Sequence, residues 1–275
     1  MHARSALFDL YGDHLRTRGG RAPVAALVRL LSPLGIRPPA VRTAVSRMVR
    51  QGWLEPVRLA SGPGYASTPR ARHRLDDAGA RIYRTDSPPW TGAWDLLVLD
   101  AGPLTGGRAA RQRIRSGLGF LGYAPLSDGT WISPARSPET DDVLATEGAG
   151  FARFQAYDDD PATQAARAWN LDALARSYGA WRVFAERLLD DPTPWIDDTP
   201  LAGDERAFAV RSVLVHEWRK FLFSDPGLPD ELLPADWPGR AAARLFASRA
   251  ERLLPAAARF VDACLNDPTR RREPR

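Results

Sequence analysis

The chain has 275 residues, 44% hydrophobic and 26% charged, which fits two or three compact domains and excludes both a single small module and a disordered polymer. Its formal charge of +5 is unevenly placed: residues 1–84 hold 15 arginines against five acids, a net +10, whereas the other 23 bases meet 28 acids, a net −5. A basic end on an acidic body implies that one domain meets a polyanion while the remainder does something else.

Ser5 is placed to cap a first helix carrying Leu7, Phe8, Leu10, Tyr11 and Leu15. A second helix begins after Pro23, with Val24, Leu27, Val28, Leu30 and Leu31 apolar, and stops at Pro33-Leu34-Gly35. A third opens at Pro38-Pro39 and runs to Gln51-Gly52, with proline in the first turn and glycine past the end. Its apolar residues Val41, Val45, Met48 and Val49 form one stripe, and the remaining face presents Arg42, Thr43, Ser46, Arg47 and Arg50. Two short strands, Trp53 to Arg58 and Tyr65 to Thr68, flank a Gly62-Pro63-Gly64 turn, and a basic helix follows Arg70 through Arg72, Arg74, Arg81 and Arg84.

Helix, helix, polar-faced helix, hairpin is the order of a winged helix-turn-helix domain. The third helix would then enter the major groove, where forked guanidinium groups grip guanine edges or phosphates. The candidate DNA contacts are Arg37, Arg42, Thr43, Ser46, Arg47, Arg50 and Arg58. A solvated helix face has a similar composition, but the breaker-then-helix spacing, the hairpin and the local charge favour the groove.

From 90 to 157 the order reads βαββαβ, a ferredoxin-like unit. Its parts are an apolar strand from Trp94 to Asp100, a basic helix over 108–118, a strand over 120–126, an Asp128-Gly129 hairpin turn before Thr130-Trp131-Ile132-Ser133, a helix over 139–146 and an alternating strand over 151–157. Gly117-Leu-Gly119-Phe-Leu-Gly122 matches G-x-G-x-x-G, but it ends a helix and enters a strand, the reverse of a dinucleotide site, so it reads as a helix stop and tight turn. Asp100 ends the first strand, about where the small CRISPR-associated nuclease family places a metal-binding acid. One such acid is a weak signal, because strands routinely end in aspartate, and Asp100 is read as an ordinary strand terminus.

From 158 to 270 the chain reads as helical. A helix around 171–189 carries an amphipathic stripe of Leu171, Leu174, Tyr178, Trp181, Ala185 and Leu188, read as core. An acidic, proline-rich loop precedes a helix over 208–223; a turn over 233–238 and a last helix over 239–265 follow. The tail from Thr269 to Arg275, including a basic end at 271–275, is expected to be disordered and able to add nonspecific attraction for DNA.

Arginine supplies 37 of the 38 basic residues, with Lys220 the exception. A coding bias toward arginine acts on the whole chain and so leaves the sign change near residue 85 unexplained. The single cysteine, Cys264, excludes an internal disulfide framework and a multi-cysteine zinc site, and its apolar-periodic helix predicts a buried, inert thiol. No apolar stretch approaches the roughly 18 residues of a membrane span, and the N-terminus leads into a helix carrying Asp9 and Asp13, so a cytoplasmic protein is expected. His2, His14, His73 and His216 lack metal-ligand spacing, and no Ser/His/Asp set or P-loop marks a catalytic site. Catalytic residues, metal and cofactor are therefore expected to be absent.

Three stretches carry a family resemblance. The segment over 214–239, Leu214-Val-His-Glu-Trp-Arg-Lys-Phe-Leu-Phe-Ser-Asp-Pro-Gly-Leu-Pro-Asp-Glu-Leu-Leu-Pro-Ala-Asp-Trp-Pro-Gly239, resembles the C-terminal domain of the PaaX-type transcriptional repressors, regulators of phenylacetic acid degradation. Ser5-Ala-Leu-Phe-Asp-Leu-Tyr-Gly12 and Val41-Arg-Thr-Ala-Val-Ser-Arg-Met-Val-Arg-Gln-Gly-Trp-Leu54 are similar to that family's N-terminal domain, and Trp131-Ile-Ser-Pro134 to its middle domain.

The resemblance implies an α+β multidomain, homodimeric repressor with a winged helix-turn-helix over 1–84, a ferredoxin-like dimerising domain over 90–157 and an all-α C-terminal sensing domain over 158–270. It also implies double-stranded operator DNA as partner, and release by an aromatic acyl-CoA such as phenylacetyl-CoA. The stretch from Leu59 to Tyr65 departs from the family, whose wings often carry arginines.

An acyl-CoA needs cations for its phosphates and an aromatic slot, residue types present in His216-Glu-Trp-Arg-Lys-Phe221. The effector candidates are His216, Trp218, Arg219 and Lys220. In one continuous helix Val213, Leu214, Glu217, Trp218 and Phe221 share a face, while His216, Arg219, Lys220 and Phe223 point elsewhere. A structural helix, with His216 satisfied in the core or at its boundary and Arg219 paired with an acid, uses the same residues. Two other functions compete with a ligand-responsive repressor: a metal-dependent nuclease acting through Asp100, and an architectural DNA-binding protein without effector.

Overall fold

The computed structural model describes residues 1–84, 89–102, 106–196 and 201–267; the basic tail lies outside them. These residues form a mixed α+β fold of ten α-helices and two antiparallel sheets. The chain divides into two compact units. One joins Met1–Arg84 to Ala180–Arg219 and Ala242–Arg275, and the other joins Thr85–Gly179 to Lys220–Ala241.

The first 84 residues follow their local punctuation closely. Helix α1 (Ala3–Leu10) continues through a π turn (Tyr11–Leu15) and a 3-10 turn (Arg16–Arg18) to Gly19, which stops it with φ 76°. Ser5 is not its cap: the helix starts earlier, His2 is the capping residue, and its carbonyl accepts from the Ala6 amide at 3.0 Å. Strand β1 (Arg21–Pro23) leads into α2 (Val24–Leu31), and Gly35, at φ 70°, ends the following turn before α3 (Pro38–Arg50).

Strands β2 (Leu54–Leu59) and β3 (Gly62–Ser67) pair with Leu59 opposite Gly62, so the hairpin turns at Ala60-Ser61. Gly62-Pro63-Gly64 therefore lies inside a strand rather than at the turn. The reason is β1, which pairs along β3 and makes it the central strand; a Cβ on Gly64 would stand 2.6 Å from the Ala22 carbonyl oxygen. Thr68, expected in the second strand, caps α4 (Pro69–Ile82) by accepting from the Ala71 amide at 3.2 Å.

The second unit builds its sheet from β4 (Trp94–Leu99), β5 (Ala124–Ser127), β6 (Thr130–Ser133) and β7 (Phe151–Ala156), with α5 (Gly107–Phe120) and α6 (Thr140–Thr146) as the connecting helices. The order β5-β6-β4-β7, antiparallel throughout, is that of a βαββαβ ferredoxin-like sheet. Leu97, Ile114, Leu118, Tyr123, Trp131 and Leu144 form its core. Strand β5 begins at Ala124 rather than 120, because α5 runs through Phe120 and Gly122, at φ 89°, makes the turn. The three glycines of the G-x-G-x-x-G pattern thus end a helix, as their context indicates.

Helix α7 (Pro161–Ala168) precedes α8 (Leu171–Asp190), whose predicted stripe from Leu171 to Leu188 is buried throughout. In the second unit Tyr178 of α8 stacks on Phe221 with ring centroids 4.1 Å apart and donates to Asp225. In the first unit Trp181 meets Trp218 edge-on at 4.7 Å, and Trp218 stacks on Phe246 at 4.8 Å.

Helix α9 (Gly203–Trp218) begins five residues before its expected start and packs against α1. A 3-10 turn (Arg219–Phe223) follows it, so the stretch over 208–223 is not one continuous α-helix. The last helix, α10 (Pro238–Asn266), buries Cys264, and burial pushes its thiol up to about 12. No helix among the described residues is long and apolar enough to cross a membrane.

Candidate nucleic-acid interface

Helix α3 is held by one face and free on the other. Pro38 and Pro39 fill its first turn, where missing amides cost nothing, and Gly52, at φ 71°, lets the chain leave it. Val41, Ala44, Val45 and Met48 are buried against the first unit's core, while Val49 is half-buried. Arg42, Thr43, Ser46, Arg47 and Arg50 are exposed. From Arg42 to Arg50 the face runs about 12 Å, comparable with the width of the DNA major groove. Arg37, at the helix N-cap, and Arg58, on β2, are exposed as well.

These arginines are also uncommitted within the protein. Arg37, Arg42, Arg47, Arg50 and Arg58 have no hydrogen-bond or ion-pair partner among the described residues. Several arginines elsewhere in the same unit are committed. Arg18 pairs with Asp262 at 2.6 Å, Arg259 with Asp204 at 2.7 Å, and Arg29 donates to the Asp267 carbonyl at 2.8 Å. A cationic face that breaks no internal pair when it meets phosphate retains its full electrostatic gain on binding.

Two acids of the N-terminal segment are neutralised from far along the chain. Arg211 of α9, 3% exposed, grips Asp13 with two nitrogens at 2.8 and 2.9 Å and donates to the Tyr83 hydroxyl at 2.8 Å. Burial alone raises the Asp13 carboxyl, but His14, Arg211 and the hydrogen bonds from Arg211 and Tyr83 outweigh it and hold the carboxyl below its usual range. His14 is fully buried beside Asp13, and desolvation lowers its pKa to about 4.

The effector candidates occupy the end of α9. His216 Nδ1 lies 2.7 Å from Asp9 Oδ2, Arg219 pairs with the same carboxylate, and the Trp218 indole donates to the Ile82 carbonyl at 3.0 Å. Lys220 is exposed. His216 and Arg219 thus converge on one buried acid of α1, a pairing across more than 200 residues for which the sequence holds no local signal. Asp100 is an exposed strand terminus whose amide donates to the Gly150 carbonyl at 2.9 Å. No metal-binding group of three or more acids, histidines or cysteines occurs among the described residues.

Comparison with known proteins places this architecture in a family. Residues 2–70 match the PaaX-like protein profile, 87–165 the PaaX protein central Cas2-like domain, and 169–263 the PaaX-like protein C-terminal domain. The chain belongs to the PaaX-type family of transcriptional repressors, a non-enzymatic regulator family. It is 31% identical over 271 residues to the transcriptional repressor PaaX of Escherichia coli K12, covering 94% of this chain and 82% of that protein. Its fold is similar to that of the uncharacterized protein Rv0674 from Mycobacterium tuberculosis, with a TM-score of 0.60 and 26% identity over 95% of this chain and 98% of that one.

Proposed function

We propose that the protein is a homodimeric, cytoplasmic transcriptional repressor that binds operator DNA and is released by an aromatic acyl-CoA such as phenylacetyl-CoA. In this reading residues 1–84 are a winged helix-turn-helix domain with α3 as recognition helix. Residues 90–157 are the dimerising domain, 158–270 the all-α sensing domain and 271–275 a basic tail. Arg42, Thr43, Ser46, Arg47 and Arg50 face the major groove, and Arg37 and Arg58 reach the flanking backbone. The observation that carries this is the face of α3 itself: Arg42, Thr43, Ser46, Arg47 and Arg50 are exposed along one side of a helix whose other side is buried, and its arginines have no hydrogen-bond or ion-pair partner among the described residues. The relative's name, a transcriptional repressor, agrees with it.

Support for a dimer comes from the middle sheet, where Phe154 is 53% exposed opposite Leu96, beside exposed Val98. Two-fold pairing would set half-sites about one helical turn apart, or a multiple of that. His216, Trp218, Arg219 and Lys220 are the effector-responsive stretch, because His216 and Arg219 hold Asp9 of α1 and the stretch runs into the 3-10 turn ending at Phe223. A ligand releases DNA only if it favours the DNA-incompetent state, and a coupling of about 1–3 kcal/mol shifts affinity roughly 5- to 150-fold.

The test is a mobility shift on the protein's own upstream DNA, with and without phenylacetyl-CoA. Arg47→Ala and Arg50→Ala should each weaken the specific complex by about 1–3 kcal/mol. Unchanged shifts in both variants overturn the role of α3. A shift that ignores every acyl-CoA leaves the repressor and removes the effector.

A further inference from the structure

The second unit contains a cleft of about 510 Å³, a volume within the usual range for small-molecule sites. It lies among the end of α5, the start of β5, the junction of α7 with α8 and the segment after Phe223. Its walls are aromatic. Phe120 and Phe223 sit with centroids 5.9 Å apart, and Trp169 is backed by Trp94 at 6.0 Å. Phe223 is 69% exposed, a large apolar surface for one ring to leave in water. Gly119 also lines the cleft, and a Cβ built there meets nothing within 4 Å.

Polar groups reach the cleft from three elements: Arg115 and Ser116 of α5, Asn170 before α8, and Ser224 after the 3-10 turn. Arg115 of α5 lines the cleft, and Arg111 and Arg108 continue the same helical stripe at i−4 and i−7, about 10 Å in all. All three are exposed and none has an ion-pair partner among the described residues. Arg113, off the stripe, is instead locked to Glu147 by two hydrogen bonds of 2.7 Å. Arg115, which also lies over the Trp131 ring at 5.9 Å, thus joins an aromatic slot to two further arginines on its own helix, a combination that suits a ligand with a flat apolar head and several phosphates.

We propose that this cleft binds the aromatic acyl-CoA, with the aryl group between Trp169 and the Phe120–Phe223 pair and the phosphates along Arg108, Arg111 and Arg115; the ligand's identity rests on the effector reading above. Phe223 closes the 3-10 turn that begins at Arg219, which holds Asp9. Movement of the ring on binding is passed along that turn to the residues that grip α1.

The test is direct titration of the full-length protein, without DNA, by calorimetry or tryptophan fluorescence, using phenylacetyl-CoA, free CoA and phenylacetate. Gly119→Phe fills the cleft and should weaken phenylacetyl-CoA binding by about tenfold or more. Phe223→Ala should weaken the thioester and spare free CoA, whereas Arg111→Glu should weaken both. Thermal melts check that each variant is folded, and the exposed positions of Phe223 and Arg111 keep the test valid if Gly119→Phe is not. Wild-type binding that survives all three substitutions overturns the cleft and leaves the effector reading standing. A wild-type protein that binds none of the three probes overturns both.

Discussion

Removing the Arg211 side chain while Asp13 stays buried leaves a carboxylate that is 6% exposed without its guanidinium partner. Arg211→Met is therefore expected to lower stability by about 3–5 kcal/mol, read as a drop in the urea midpoint at pH 7. Adding Asp13→Asn should recover part of that loss, because most of it comes from the stranded charge rather than from the pair. Exposed arginines of α3 face water already, and replacing them should cost DNA binding rather than folding. Composition alone cannot separate these two kinds of arginine. What separates them is the residue opposite, and for Arg211 that residue lies 198 positions away.

At the level of elements, proline and glycine punctuation made the helices readable. Pro23, the Pro33 to Gly35 breaker and Pro38-Pro39 set the limits of α2 and α3, and apolar spacing set the buried face of α3. The same signals misplaced the hairpin turn. A Gly-Pro-Gly triplet reads as a turn in isolation, but β1, three residues long and ending in Pro23, is too short to carry a period of its own. Its presence turns Gly64 into a point of close backbone approach. Gly64→Val should thus break the β1–β3 pairing and destabilise the protein by about 1–3 kcal/mol, whereas Ala60→Val, at the true turn, should change the melting temperature little. Equal melting temperatures for the two variants would contradict the central position of β3. The stretch from His216 to Lys220 was legible only as residue types, since the break between α9 and the 3-10 turn, and the grip of His216 and Arg219 on Asp9, depend on tertiary packing.

For the whole molecule, buried His14 ties stability to pH. Its folded pKa of about 4 lies below the usual histidine value of 6.5, so the unfolded chain binds the extra proton between those limits. Its contribution, on the order of 3 kcal/mol, is complete above about pH 6.5 and is lost as pH falls toward 4. Asp13, also held low, adds to the loss at still lower pH. The urea midpoint should accordingly fall between pH 7 and pH 4.5, and a flat profile across that window would show that His14 titrates freely when folded.

The basic first unit is discontinuous in sequence, since Met1–Arg84 folds together with Ala180–Arg219 and Ala242–Arg275. During synthesis at about 5–20 residues per second, Asp13 leaves the ribosome roughly 10–40 s before Arg211 can reach it. Until then Asp9 of α1 and Asp13 of the π turn lack Arg219 and Arg211, and α3 rests on an unfinished core. A nascent chain therefore completes the core of its first unit late, after residues 90–157 have been made.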